Sequence, residues 1–126
     1  MVTDGLCLDA GALIGVERAD ARVVHLLHRA HAMGATVEIP TGVVAQVWRG
    51  GRQARLARFL RADHVTLVEL DADTARAVGV MCGRSGVSDV VDGHVALHAR
   101  RRRLSVLTSD PDDISAFDPT LSIIAI

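Results

Sequence analysis

Short apolar runs alternate with segments whose apolar residues recur at helical spacing along most of this chain. Gly5-Leu6-Cys7-Leu8 is the first such run. It reaches Asp9, after which Ala10-Gly11-Ala12-Leu13-Ile14 begins a short helix or a tight turn. Asp20 is placed to cap a helix carrying Val23, Val24, Leu26 and Leu27, with Ala30 on its apolar side and Gly34 as its stop. Thr36 to Ile39 reads as a second strand. Pro40-Thr41 then leads into a helix through Val43, Val44, Val47 and Trp48. Gly50-Gly51 interrupts that pattern before a helix containing Leu56, Phe59 and Leu60, along which Arg49, Arg52, Arg55, Arg58 and Arg61 wind at three-residue spacing. Val65 to Leu70 reads as a third strand. Asp71 or Asp73 caps the next helix, which bears Ala75, Val78 and Val80 and ends around Cys82-Gly83.

The stretch from Ser88 to Asp110 concentrates the chemistry. Asp89 and Asp92 stand three residues apart at a helix start, beside an apolar stripe of Val91, Val95, Ala96 and Ala99. Arg100 to Arg103 ends that helix, where cations interact favourably with the dipole. Leu104, Val106 and Leu107 follow as a buried strand with Thr108-Ser109-Asp110 at its carboxyl end. Pro111-Asp112-Asp113 makes a turn into a short helix near Ile114 to Phe117. Asp112 is read as its cap, and Asp113 keeps an open role. Leu121 to Ile126 is the last strand, suited to a sheet edge or to cover by a partner. The alternation predicts an α/β fold, with a mainly parallel sheet and helices on both faces, in a single domain over residues 1–126.

Composition narrows what such a fold can do. A hydrophobic fraction of 49% argues for a packed core, and a net charge of −1 predicts no general attraction to nucleic acid. Recognition of a polyanion must therefore be local. All 14 basic residues are arginines, which excludes a Walker-type lysine, a Schiff-base lysine and a lysine-dependent phospho-acceptor pocket. Cys7 and Cys82 form no CxxC pair and are expected as ordinary thiols. No basic region leads into a secretory hydrophobic segment and no stretch approaches a membrane span, so no membrane association and a cytoplasmic location are expected.

In a parallel sheet with this order, Asp9, Asp92 and Asp110 can converge at strand carboxyl ends with Asp89 close by. Capping of the first helix is the structural alternative for Asp9. Like charges in a partly dry cleft repel unless a cation or proton joins them, and hard oxygen ligands suit Mg²⁺ or Mn²⁺. Metal-assisted hydrolysis of a phosphodiester follows as the sharper hypothesis. His25, His28 and His31 lack an obvious fourth ligand and are read as a solvated face. His94 and His98 have the i,i+4 spacing of an HExxH site, but no glutamate follows His94. They are read as exposed or partly satisfied. Gln46 can point its amide into the strand-end cleft or stand as a surface residue, and Arg49 and Arg52 are candidate RNA contacts.

These motifs together resemble the PIN-domain family, especially the small VapC-type ribonuclease toxins. The resemblance covers almost the whole chain: Leu8-Asp9-Ala10, then Asp92-Gly93-His94-Val95-Ala96, then Leu107-Thr108-Ser109-Asp110, with Asp89 matching an additional acid before the second of these. It implies an α/β/α sandwich and an acid cluster of Asp9, Asp89, Asp92 and Asp110 that holds Mg²⁺ or Mn²⁺ for RNA cleavage. It also implies a cognate antitoxin whose C-terminal segment blocks the cleft, and a homodimer. The family's remaining acid, a glutamate in the helix after the second strand, falls on Gln46 in Val44-Ala45-Gln46-Val47-Trp48, which removes charge from the site. A PIN-like RNA-binding or protein-interaction domain with weakened catalysis is thus the runner-up reading, and a metal-dependent phosphatase is the third.

Overall fold

The computed structural model describes residues 4–126. Five strands form one sheet in the order β3-β2-β1-β4-β5, and every neighbouring pair is parallel. The strands are β1 (Gly5–Leu8), β2 (Thr36–Pro40), β3 (Val65–Val68), β4 (Leu104–Thr108) and β5 (Ile123–Ala125). The helices are α1 (Ala10–Glu17), α2 (Ala21–Ala32), α3 (Thr41–Val47), α4 (Ala54–Leu60), α5 (Ala72–Ser85), α6 (Val90–Arg102) and α7 (Pro111–Ser115).

Every residue of β1 and β4 is buried, so helices must cover both faces at the sheet centre. Alternation along β1 assigns those faces. The Cys7 thiol reaches the Val95 carbonyl of α6, while Leu6 and Leu8 point to the opposite side. Glu38 is in register with Cys7, and its carboxylate also meets α6, through His98 and Arg102. On the other side α1 packs with α2, α3 and α4. The edge strands β3 and β5 are only partly covered, and Leu67 on β3 is exposed.

Local signals set most helix starts. Asp9, Asp20, Asp71 and Asp89 are the N-caps of α1, α2, α5 and α6, and each accepts a hydrogen bond from a backbone N–H in the first turn. Several boundaries differ from the pattern: β3 ends at Val68 short of Leu70, β5 covers only Ile123–Ala125, and α7 lies at Pro111–Ser115, earlier than Ile114 to Phe117. Helix α5 runs on to Ser85 and stops at Gly86, whose φ of 74° is the left-handed cap that glycine adopts without a Cβ clash. Trp48 lies just outside α3 as its C-cap. Arg49 and Arg52 precede α4 in the connecting turn, because Gly50-Gly51 breaks the helix and Gln53 restarts it. The N-cap of α7 is Asp110, which leaves Asp112 in the first turn because Pro111 already occupies N1.

Candidate functional site

The strand order reverses direction between β1 and β4, since β2 and β3 build outward on one side of β1 and β5 on the other side of β4. A crevice opens at the carboxyl ends of such a strand pair, where no connecting helix crosses. Asp9 leaves β1 at this point and Asp110 leaves β4 beside it. The Asp9 N–H donates to the Leu107 carbonyl at 3.1 Å, which extends the ladder to the last strand residues.

Asp9 is buried, at 4% exposure. One of its carboxylate oxygens accepts from the Ala10 N–H as the helix cap, and the other accepts from the Thr108 hydroxyl at 2.7 Å. One oxygen thus makes the helix cap that the sequence offered as the structural alternative, while the other is tied to the end of β4. Thr108 also accepts from the Asp110 N–H at 2.9 Å, so one hydroxyl ties both acid-bearing strand ends together. Gly11 allows this close packing: a Cβ there would lie 2.2 Å from the Ser109 hydroxyl oxygen.

Helix α6 approaches the same crevice by its N-terminus. Asp89 caps it by accepting from the Asp92 N–H at 3.0 Å, and this fixes the turn that presents Asp92. Asp92 is half-buried, and burial together with the charges of Asp9, Asp89, Asp113 and Asp110 pushes its carboxyl up to about 7. Asp9, Asp89 and Asp110, the other three acids singled out by sequence, therefore all bear on Asp92 at this end of the sheet. Asp113, in the first turn of α7, joins them. No arginine or histidine neutralises the group: among the described residues the acidic partners in ion pairs are Asp73, Glu38 and Asp118.

A carboxylate-only donor set without a counter-charge suits a hard divalent cation in charge and donor chemistry. As placed, the side chains do not enclose one: among the described residues no three His, Cys, Asp or Glu groups stand in an arrangement that could hold a metal ion. Cys7 adds no nucleophile, because burial and the charges of Glu38 and Asp9 push its thiol far above the ordinary range.

The remaining candidates separate from the acids. Gln46 is exposed on α3 and borders a groove of about 240 Å³ with Glu17, Arg18 and Arg49, into which none of Asp9, Asp89, Asp92 or Asp110 enters. Glu17 is engaged there, accepting from the Leu56 N–H at 2.8 Å and so capping α4. Arg49 folds back on α3 and donates to the Ala45 and Trp48 carbonyls. Arg52 is exposed outside this groove.

Two features escape the sequence pattern. His94 is buried at 2% exposure, and among the described residues its Nε2 has no hydrogen-bond partner, a correction to an exposed or partly satisfied residue. It faces inward because α6 buries nearly its whole middle, from Gly93 to Leu97. Burial and the neighbouring His98 hold it below the ordinary histidine range, which favours its neutral form. Glu38 is the second. Burial raises its pKa, but hydrogen bonds from Arg102, His98 and Thr36 outweigh that and hold the carboxyl below its usual range. A charge between Val37 and Ile39 in a strand was the signal for it.

No protein-family model and no curated protein matches this chain. Solved structures do. A chain of VapBC2 from Rickettsia felis, solved bound to a DNA fragment from their promoter, is similar at a TM-score of 0.72 and 16% identity, over 95% of this chain and 97% of that one. A chain of FitAB bound to an IR36 DNA fragment is similar at a TM-score of 0.66 and 18% identity, over 95% and 94%. A chain of FitAcB from Neisseria gonorrhoeae is similar at 0.60 and 19%, over 94% and 96%. Together with the all-parallel sheet and its flanking helices, these likenesses show that the chain has the PIN-domain fold, in the form found in VapBC2 and FitAB.

Proposed function

We propose that this chain is a metal-dependent endoribonuclease and the toxin of a type II toxin and antitoxin pair. One observation carries the reading: Asp92 is pushed up to about 7 by burial and four further carboxylates, at the point where the strand order of the sheet reverses. Such a concentration of uncompensated acid stores a demand for positive charge. The pairing with an antitoxin is supported by the fold shared with VapBC2 and FitAB chains over nearly their full length. A homodimer, a cytoplasmic location and a single functional domain over residues 1–126 belong to the same proposal.

Asp9, Asp92 and Asp110 would hold Mg²⁺ or Mn²⁺, with Asp89 and Asp113 contributing at the rim. When bound, the ion supplies the Lewis acidity and positive charge that activate water and stabilise a phosphodiester transition state. The protein does the positioning. Thr108 holds one oxygen of Asp9, which keeps that carboxylate oriented while Asp110 is tied to the same hydroxyl. Asp92 is partly protonated near neutral pH and would give up that proton were a cation held beside it. No histidine base takes part in this scheme.

The second reading is a PIN-like binding domain with weakened catalysis, favoured by the neutral amide of Gln46 on the exposed side of α3. Turnover separates the readings. With Mg²⁺ or Mn²⁺ the account expects cleavage of a structured RNA pool, loss of cleavage in chelator, and no comparable hydrolysis of small phosphate esters. A folded protein that binds RNA without turnover in either metal favours the binder. Preferential hydrolysis of the esters makes it a phosphatase.

A further inference from the structure

Resting on that ribonuclease reading, we propose that the groove between α1 and the carboxyl-terminal strand is the track for the RNA backbone beside the acid site, with Arg18 and Arg22 as its phosphate contacts. The groove has a volume of about 470 Å³ and its lining includes Gly11, Ser109, Ile14, Arg18 and Arg22; none of the clustered acids lines it, and Gly11 and Ser109 are the lining residues nearest to them in the chain. Gly11 follows Asp9 by two residues and Ser109 immediately precedes Asp110, so these two lining residues neighbour the strand-end acids along the chain. Helix α1 sets the distance: its eight residues span about 12 Å, from the Asp9 cap to the Arg18 cap. A strand whose scissile phosphate lies at the acids would bring a non-scissile phosphate further along its backbone to Arg18.

The charges in the groove fit that role. Arg18 is exposed, and among the described residues its side chain has no ion pair and no hydrogen bond. Arg22 donates to the Ala125 carbonyl at 2.9 Å, which orients the guanidinium without neutralising it. Asp20 is the one acid in the lining, and it is engaged with the Val23 N–H as the α2 cap. Ile14, 39% exposed, gives the groove an apolar wall against which a base can lie. Ile14 and Arg18 also line the groove that holds Gln46 and Arg49, so Arg18 stands on the ridge between the two. Two guanidiniums without an ion pair among the described residues, set away from the acid cluster, match a polyanion that needs a cation at its reacting phosphate and arginines further along its backbone.

The test reads binding apart from chemistry. A fluorescein-labelled single-stranded RNA is titrated in EDTA, across a salt series, into wild type, Arg18→Ala, Arg22→Ala, the double variant, and Arg76→Ala as a charge-matched control outside the groove. Each phosphate contact on a single strand contributes about 0.7 to the slope of log affinity against log salt, so the double variant should lose about 1.4. Its deficit relative to wild type should then shrink about 7-fold between 50 and 200 mM salt. Arg22→Lys keeps the charge and should keep the slope. Arg18→Ala carries the test alone should Arg22→Ala loosen the last strand. Slopes for the groove variants equal to that of Arg76→Ala overturn the track. So does poly-glutamate that binds through Arg18 and Arg22 where RNA does not, which would make the groove a site for an acidic peptide. Arginine-dependent RNA binding by a wild type that never cleaves removes the nuclease reading and leaves the track standing.

Discussion

Replacing Asp92 with asparagine should stabilise the metal-free protein, and the effect should grow with pH. In the folded chain the carboxyl is raised from 3.8 to about 7 by burial and by Asp9, Asp89, Asp113 and Asp110. Between those values the folded state holds a proton that the unfolded chain has released. Stability of the wild type therefore falls as pH rises through this window and levels off above about 7. The full displacement corresponds to about 4 kcal/mol for a group shielded from water. Asp92 is only half-buried, so solvent screening brings the expected value down to about 1–2 kcal/mol. An asparagine side chain does not ionise, so the substitution removes this slope. Urea denaturation of both proteins in EDTA from pH 4 to pH 8 measures it: the gap should be small at pH 4, grow through pH 5 and 6, and reach about 1–2 kcal/mol in favour of Asp92→Asn at pH 8. Saturating Mg²⁺ or Mn²⁺ should reverse the order, because the cation stabilises only a site that can offer the charge. A gap independent of pH, or one in favour of the wild type at pH 8 without metal, would refute the idea that uncompensated charge converges on Asp92.

Three further substitutions probe the supports of the site. Thr108→Val removes the donor to Asp9 and the acceptor for the Asp110 N–H, and should cost about 2 kcal/mol by denaturation while lowering cleavage more than RNA binding. Glu38→Ala strands His98 and Arg102. Because Arg102 is 57% exposed, the expected cost is about 2–3 kcal/mol, below that of a fully buried pair. The Glu38 contribution is present above the unfolded carboxylate range and should vanish as pH falls through the lower folded value, so wild type and Glu38→Ala should converge in acid. Gly11→Ala drives a methyl into Ser109 and should cost about 1–3 kcal/mol, with part of the loss recovered in Gly11→Ala/Ser109→Gly, as read from thermal midpoints.

The parts of this architecture legible in the sequence are those that local physics decides. The apolar runs of β1 and β4 announce central strands because both faces are covered, and Asp20, Asp71 and Asp89 announce helix starts because a short carboxylate satisfies free N–H groups. Asp9 and Asp110 could be placed together because strand-end positions follow from topology. Thr108 could not be singled out: its hydroxyl matters only once β1 and β4 are neighbours, and 99 residues separate it from Asp9. Asp113 joins the acids through the placement of α7, which no periodicity specifies. The inward turn of His94 depends on how deeply α6 is packed, and a mixed pattern of Val, Ala and His does not reveal that. The arginine repeat misled because three-residue spacing suggested one helix, whereas the glycine pair places Arg49 and Arg52 before it. Arg18 and Arg22, at a helix junction with no motif around them, gain meaning only from the groove they line.

The most direct test of the central claim is single-turnover cleavage of a structured RNA pool by partner-free protein in Mg²⁺ or Mn²⁺, comparing wild type, folded Asp92→Asn and wild type in chelator. The account predicts discrete fragments from the wild type alone, and their loss in both controls. Equal cleavage by folded Asp92→Asn, or cleavage that survives the chelator, would contradict it.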